Sequence, residues 1–339
     1  MTYSRSCQRD DSDQTKEGFS RDRQVLKELS EQSWVKTTSR SWWPKFLFHH
    51  TDVRNAVEIL KHGRLLCRSE LEKQGRMVVD NASPQIVAAT HEYVKGCVRL
   101  YFRPKTPTEY RSEGMRPKGQ RELGAHCPMP VFFLFNSDQL LTREDCRFSN
   151  GNLAAFGTPL FSTAAELAAL DFKRIYHVGQ IPNQDRTIIH RRNAEAIIEK
   201  ELDLSSLEYI FCRSPAEKET LRHLLPAAIS SRWNKKILVE SKSDLFHRKW
   251  TFVETVELSS SQLTLHFSPD TWTPGPFDLE IQTLDLIASR PYHHKERTTV
   301  SGIRRFRFAR EFNHFEVKVE LDGDLAYQNQ YRNDDDIPF

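Results

Sequence analysis

The chain has 339 residues, 28% of them charged and 38% hydrophobic, with a formal net charge of +3. That length exceeds one small domain and suits two with an extension, and the apolar content suffices for a core. No apolar run approaches the roughly 20 residues a membrane helix needs, the start MTYSRSCQRDDSDQTKEG has no apolar secretory segment, and so small a charge identifies no partner.

Residues 1 to about 22 are polar and read as disordered or loosely attached. From Arg23, RQVLKELSEQSWVK spaces Val25, Leu26, Leu29 and Trp34 as a short amphipathic helix. FLFHH reads as a strand. Thr51 or Asp52 can cap the helix that follows, which carries Val53, Ala56, Val57 and Leu60 on one face and ends at Gly63. Leu65 and Leu66 open an extended piece. Ser83 and Pro84 start a short helix as N-cap and first-turn proline. Val98 to Phe102 is a strand, and Pro128 to Asn136 is apolar enough to be a central one. TAAELAALDF is helical, LEYIFCRS is a strand, and PAEKETLRHLLPAAI is a helix starting at Pro215. Around Ala196 to Ile198 the pattern fits a strand or a helical turn.

After about residue 232 the texture changes. KILVES, KWTFVETVELS, QLTLHFSP, FDLEIQTLDL, RRFRFAREF and HFEVKVELD alternate apolar and polar residues, as the antiparallel strands of a sandwich or small barrel do. The division is a polar extension with a short helix at 1–44, a mixed unit at 45–232, a β-rich domain at 233–330 and a polar tail at 331–339. The six cysteines, Cys7, Cys67, Cys97, Cys127, Cys146 and Cys212, form no CxxC pair. They argue against a zinc ribbon and fit a reducing cytoplasm. His49–His50 and His293–His294 make no metal site, because strand neighbours face opposite ways.

Taken singly, His49 is a core histidine and Glu195 a surface carboxylate. Their order is more specific: FLFHHTD, a helix, HGRLL, DNASPQIV, VRLYFRPKTPTEY, a helix ending LDF, HRRNAEAII and LEYIFCRSPAEKETL. Over residues 45 to 228 this resembles the DarT family of NAD-dependent ADP-ribosyltransferases, which attach ADP-ribose to bases in nucleic acid. The resemblance implies an α+β fold, with an ADP-ribosyltransferase-like catalytic domain at 45–232 ahead of the β-rich C-terminal domain. It places Glu195 beside the ribose of NAD, where positive charge develops as the nicotinamide bond breaks. It assigns His49, Thr51 and Tyr101 to NAD. Strand alternation makes one of Tyr101 and Phe102 a core residue, and with the resemblance Tyr101 is the one expected at the site and Phe102 the one in the core. Family members that modify thymidine carry an arginine in the helix before the central strand. ASPQIVAAT, Ala82 to Thr90, has none, and Arg103 is the expected substitute in catalysis.

Between Arg99 and Arg121 seven basic residues face two acidic ones, an excess of about five that suits a nucleic-acid backbone. Lys105, Tyr110, Arg111, Arg191 and Arg192 are the expected nucleic-acid contacts, with Tyr110 stacking on a base. The alternative is a solvated basic loop. RRFRFAR and HHKER either extend that track or are solvent faces of strands. A base must leave its stack to reach the ribose, which favours single-stranded DNA or RNA. By resemblance the protein is a cytoplasmic toxin used in phage defence, with no membrane role and with a cognate antitoxin, often a macrodomain that removes ADP-ribose. The alternatives are a protein-directed transferase or NAD hydrolase on the same fold, and a non-catalytic nucleic-acid-binding protein.

Overall fold

A computed structural model describes residues 11–240 and 245–333. The mixed unit is built on ten strands: β1 Phe46–Asp52, β2 Arg64–Leu66, β3 Cys97–Tyr101, β4 Pro130–Asn136, β5 Cys146–Ser149, β6 Leu160–Phe161, β7 Glu195–Glu199, β8 Glu201–Asp203, β9 Leu207–Cys212 and β10 Ile237–Val239. Eight form one sheet in the order β10-β9-β4-β1-β3-β7-β5-β6, while β2 and β8 pair separately. The segment around Ala196 is thus a strand. β4 is buried from Pro130 through Phe135, as its apolar run requires.

Local chemistry explains the elements around the sheet. The Asp52 side chain accepts a hydrogen bond from Arg54 N and caps the helix Val53–His62. That helix buries Val53, Ala56, Val57 and Leu60 and stops at Gly63, whose φ of 70° is left-handed. Ser83 caps the helix Pro84–Ala89 by accepting from Ile86 N. The expected Pro215 helix is two helices, Pro215–Leu224 and Ala227–Trp233, because Pro226 supplies no backbone N–H to continue the first.

The sheet is not evenly knit. β1 pairs with β4 at all seven positions, from Phe46↔Asn136 to Asp52↔Pro130. It pairs with β3 only at Phe48↔Tyr101. From there β1 and β3 part, while β3 stays paired with β7 from Cys97↔Glu199 to Tyr101↔Glu195.

Two expectations are corrected. The N-terminal segment is ordered as the helix Asp11–Glu31, which buries Leu26 and Leu29 in the main core. A polar sequence rich in Gln, Lys, Arg and Glu is still a good helix former, and two leucines suffice to dock it. Residues 1–10, and most of the expected tail, lie outside the described residues. The boundary expected near residue 232 also moves, because Ile237–Val239 of KILVES joins the large sheet parallel to β9.

Beyond it come β11 Val253–Ser259, β12 Gln262–Phe267, β13 Phe277–Asp285, β14 Arg290–Thr298, β15 Ile303–Arg307, β16 His314–Leu321 and β17 Asp324–Arg332. They form a three-stranded sheet, β11-β12-β15, and a four-stranded one, β14-β13-β16-β17. Both sheets bury alternate residues in one core, among them Leu263, Leu265, Leu279, Ile281, Val317 and Val319. This sandwich sits on the helix Pro215–Leu224: the Tyr327 hydroxyl donates to Glu219 at 2.8 Å and Ser214 Oγ to the Val253 carbonyl at 2.7 Å. At Gly114, φ is 76° and a Cβ would lie 2.6 Å from Cβ of Trp250, so only glycine fits there.

No helix among the described residues is long and apolar enough to cross a membrane. No cluster of His, Cys, Asp and Glu among them is set to hold a metal ion.

Candidate active site

A cavity of about 320 Å³ opens where β1 and β3 part. That falls in the range of small-molecule sites. Its wall includes His49 and Thr51 from β1, Arg99 and Tyr101 from β3, Thr108 from the helix Pro107–Ser112, Asn152 from a loop, and apolar Leu65, Ile86 and Val87. The structure therefore brings together His49, Thr51 and Tyr101.

Each polar wall group is held. His49 Nδ1 lies 3.1 Å from the Arg99 carbonyl. A carbonyl can only accept, so Nδ1 carries the proton and Nε2 is free to accept. Burial lowers the His49 pKa to about 4, keeping the ring neutral. His50 stacks on Tyr101 with ring centroids 6.0 Å apart. Burial, and next the cost of a further positive charge close to His49 and His247, lowers it to about 3. Thr51 Oγ1 accepts from Asn55 Nδ2 at 3.1 Å. Burial and then the Glu195 charge push the Tyr101 hydroxyl up to about 12, so it stays a neutral phenol. Tyr101 also bonds Thr108, whose Oγ1 donates to Asn193 Oδ1 at 2.9 Å. Phe102, the next residue, is buried against Phe148 and Phe172.

Glu195 opens β7 directly across from Tyr101. Its side chain has no exposed surface and sits behind the cavity wall. Arg99 Nε and Nη2 donate to its two oxygens at 2.5 and 2.7 Å, and Leu153 N donates to Oε1 at 3.0 Å. The Glu195 backbone N–H donates to Ser149 Oγ at 3.1 Å. Burial works against the Arg99 charge, but the Glu195 carboxylate outweighs it and holds the guanidinium above its ordinary range. Such a bidentate pair fixes distance and plane together.

A family model described as DarT, ssDNA thymidine ADP-ribosyltransferase, matches residues 48–247. The chain belongs to the DarT family. Among solved structures, Thermus sp. 2.9 DarT in complex with ADP-ribosylated ssDNA is similar at a TM-score of 0.47 and 18% identity, covering 60% of this chain and 97% of that one. Thermus sp. 2.9 DarT in complex with NAD+ gives 0.45 and 16%, covering 60% and 98%. Thermosipho africanus DarTG in complex with ADP-ribose gives 0.45 and 17%, covering 63% and 53%. No curated protein sequence matches.

Within this DarT-family domain several expected residues are placed elsewhere. Arg103 is the clearest correction. It is 1% exposed and lies outside the cavity wall. It donates to the carbonyls of Pro104, Ile175 and His177 and stands 4.9 Å from the Trp43 ring centroid. Burial, and next the charge of Arg192, drive its pKa well below the ordinary value. The residue lies past the end of β3, where the chain has turned inward.

Tyr110 is not presented as a stacking platform. Its ring meets His247 and Trp250 edge-on, at centroid distances of 5.1 and 5.5 Å. The basic stretch is likewise no single patch. Arg99 holds Glu195, Arg116 is buried 3.8 Å from the Trp250 ring centroid, and Arg121 bonds Asp324.

Arg111 lines the cavity, 3.7 Å from Glu122. Lys105 takes a left-handed φ of 52° and its carbonyl accepts from Arg192 Nη2 at 3.2 Å. Arg191 donates to the Asn150 carbonyl at 2.8 Å, in the turn that also presents Leu153. In the sandwich, Arg304 bonds Glu296 and Arg310 bonds Asp285. His293 and His294 stand near Glu280 and Glu296.

Arg99, one of the seven basic residues between Arg99 and Arg121, is spent on Glu195 rather than on a nucleic-acid backbone. A signal was present: an arginine between Val98 and Leu100 in an apolar strand requires a partner.

Proposed function

We propose that this protein transfers the ADP-ribosyl group of NAD to a base in single-stranded nucleic acid, with DNA the favoured acceptor. The observation that carries the reading is the Glu195 carboxylate, fixed by Arg99 and Leu153 and set directly behind the part of the cavity wall that Arg99 and Tyr101 form. The family model's description supports both the reaction class and the ssDNA acceptor.

The wall suits NAD in chemistry. Tyr101 offers an aromatic face, apolar Leu65, Ile86 and Val87 suit a flat ring, and His49 Nε2 and Thr51 supply polar contacts. NAD supplies an activated ribose whose bond to nicotinamide is the one that breaks. Nicotinamide leaves ribose C1′, a base nitrogen forms the new bond there, and that nitrogen loses its proton. On this reading Glu195 opposes the positive charge growing on the ribose and accepts the proton. His49, Thr51 and Tyr101 orient the dinucleotide. Arg111, which lines the cavity, together with Arg191, Arg192 and Lys105, would contact the backbone of the acceptor.

The helix Pro84–Ala89 contains no arginine, so a test must offer all four bases. Purified protein with NAD and mixed DNA and RNA oligonucleotides should release nicotinamide and give oligonucleotides heavier by one ADP-ribosyl group. Glu195→Gln should abolish the product. Folded wild-type protein that shifts no oligonucleotide would overturn the reading.

Such an activity blocks replication or translation in the cell that makes it. The biological role we propose is therefore the toxin of a toxin–antitoxin pair acting in phage defence, partnered by a protein that removes ADP-ribose. Expression should be harmful from the wild type and harmless from Glu195→Ala. Equal harm from both would refute the role.

A further inference from the structure

Glu195 has no exposed surface, whereas the Arg99 side chain is 29% exposed and forms part of the cavity wall. Two guanidinium nitrogens and one backbone N–H are directed at one carboxylate. The other arginines of the wall are tied to surface partners: Arg64 to Glu201, Arg68 to Asp80 and Glu72, Arg76 to Gln74, and Arg111 stands near Glu122. Arg99 is also placed by both flanking strands. β3 holds it in register with Ile197 of β7, and its carbonyl accepts from His49 of β1.

We infer that Arg99 is the positioning residue for Glu195, so that the carboxylate works only as one half of an Arg99–Glu195 pair. The inference rests on the reading of Glu195 given above and extends it to a residue on another strand. A buried carboxylate whose counter-ion is deleted takes up a proton or leaves its place, and either outcome removes it from the reaction. Arg99 acts through Glu195, so its loss falls on turnover rather than on binding of the dinucleotide. Lysine restores the charge but not the fork, because it offers a point charge in place of two parallel donors.

The test follows nicotinamide release by full-length protein, with oligonucleotide acceptor, for wild type, Arg99→Ala and Arg99→Lys. The expected result for Arg99→Ala is a kcat at least 100-fold lower with KM for NAD within threefold, on the scale of a lost acid–base group. Added guanidinium ion should restore at least tenfold of that loss in Arg99→Ala and nothing in Glu195→Gln. Arg99→Lys should fall between wild type and Arg99→Ala. Three results would overturn the inference: Arg99→Ala with near-wild-type kcat, a loss that appears in KM and ignores guanidinium, or failure of both Arg99 variants to fold, which would make the arginine structural. A wild type that releases no nicotinamide overturns the functional reading itself, and is seen before any variant is compared.

Discussion

Tyr101 and Glu195 are register partners across β3 and β7. One strand pair thus sets an aromatic face and a carboxylate side by side where the sheet splits. Tyr101→Ala should raise KM for NAD about tenfold, equivalent to ~1.4 kcal/mol, while Tyr101→Phe should stay within about threefold, because the ring face supplies most of the contact. KM from nicotinamide release measures both. Equal effects of the two substitutions would assign the role to the hydroxyl.

Arg103 should be a folding residue. Its guanidinium serves three carbonyls and stands over Trp43. Arg103→Met keeps length and apolar packing but leaves those carbonyls without a donor. A loss of about 3 kcal/mol in unfolding free energy is expected, with kcat for NAD within about twofold of wild type. Denaturant titration and a turnover assay on the same sample decide it. A large fall in kcat with unchanged stability would return Arg103 to the active site.

The half-buried histidines of β1 should make the fold acid-sensitive. His50 ordinarily titrates near 6.5 and is lowered to about 3 in the fold. Between these values the unfolded chain holds the proton and the native one does not. Stability is therefore complete above pH 6.5 and lost as pH falls. One such proton gives a slope of about 1.4 kcal/mol per pH unit. His50→Phe removes the titration and keeps a ring against Tyr101 and Phe132. Its stability should fall less steeply between pH 6.5 and 4 by about that slope. Parallel pH profiles for the two proteins would contradict a neutral His50 in the fold.

Glu113 ties the loop after Tyr110 to the segment leading into the sandwich. It accepts from His247 N at 2.6 Å, Arg248 N at 2.8 Å and Arg213 Nη1 at 3.4 Å, and it is fully buried. Glu113→Ala leaves those donors without an acceptor and should cost about 3 kcal/mol or more in unfolding free energy. A loss below about 1 kcal/mol would show that the junction does not depend on it.

Much of this was legible locally. Asp52, Ser83, Gly63 and Pro215 mark helix ends through backbone chemistry confined to a few residues. Alternation in VRLYF separates Tyr101 at the cavity from Phe102 in the core. What the sequence hid depends on distant partners. Arg99 and Glu195 are 96 positions apart, and only the β3–β7 ladder joins them. Arg103 looked like a free basic group because its acceptors are main-chain carbonyls of residues 175 and 177, which no side-chain pattern reveals. KILVES resembles the sandwich strands in composition, yet it pairs with β9.

The most direct measurement is the mass spectrum of nucleosides digested from the DNA and RNA of cells expressing the wild type and Glu195→Gln. The account predicts one nucleoside carrying an added ADP-ribosyl group in wild-type cells, in DNA before RNA, and its absence with Glu195→Gln. No modified nucleoside in either pool, from cells containing folded wild-type protein, would contradict it.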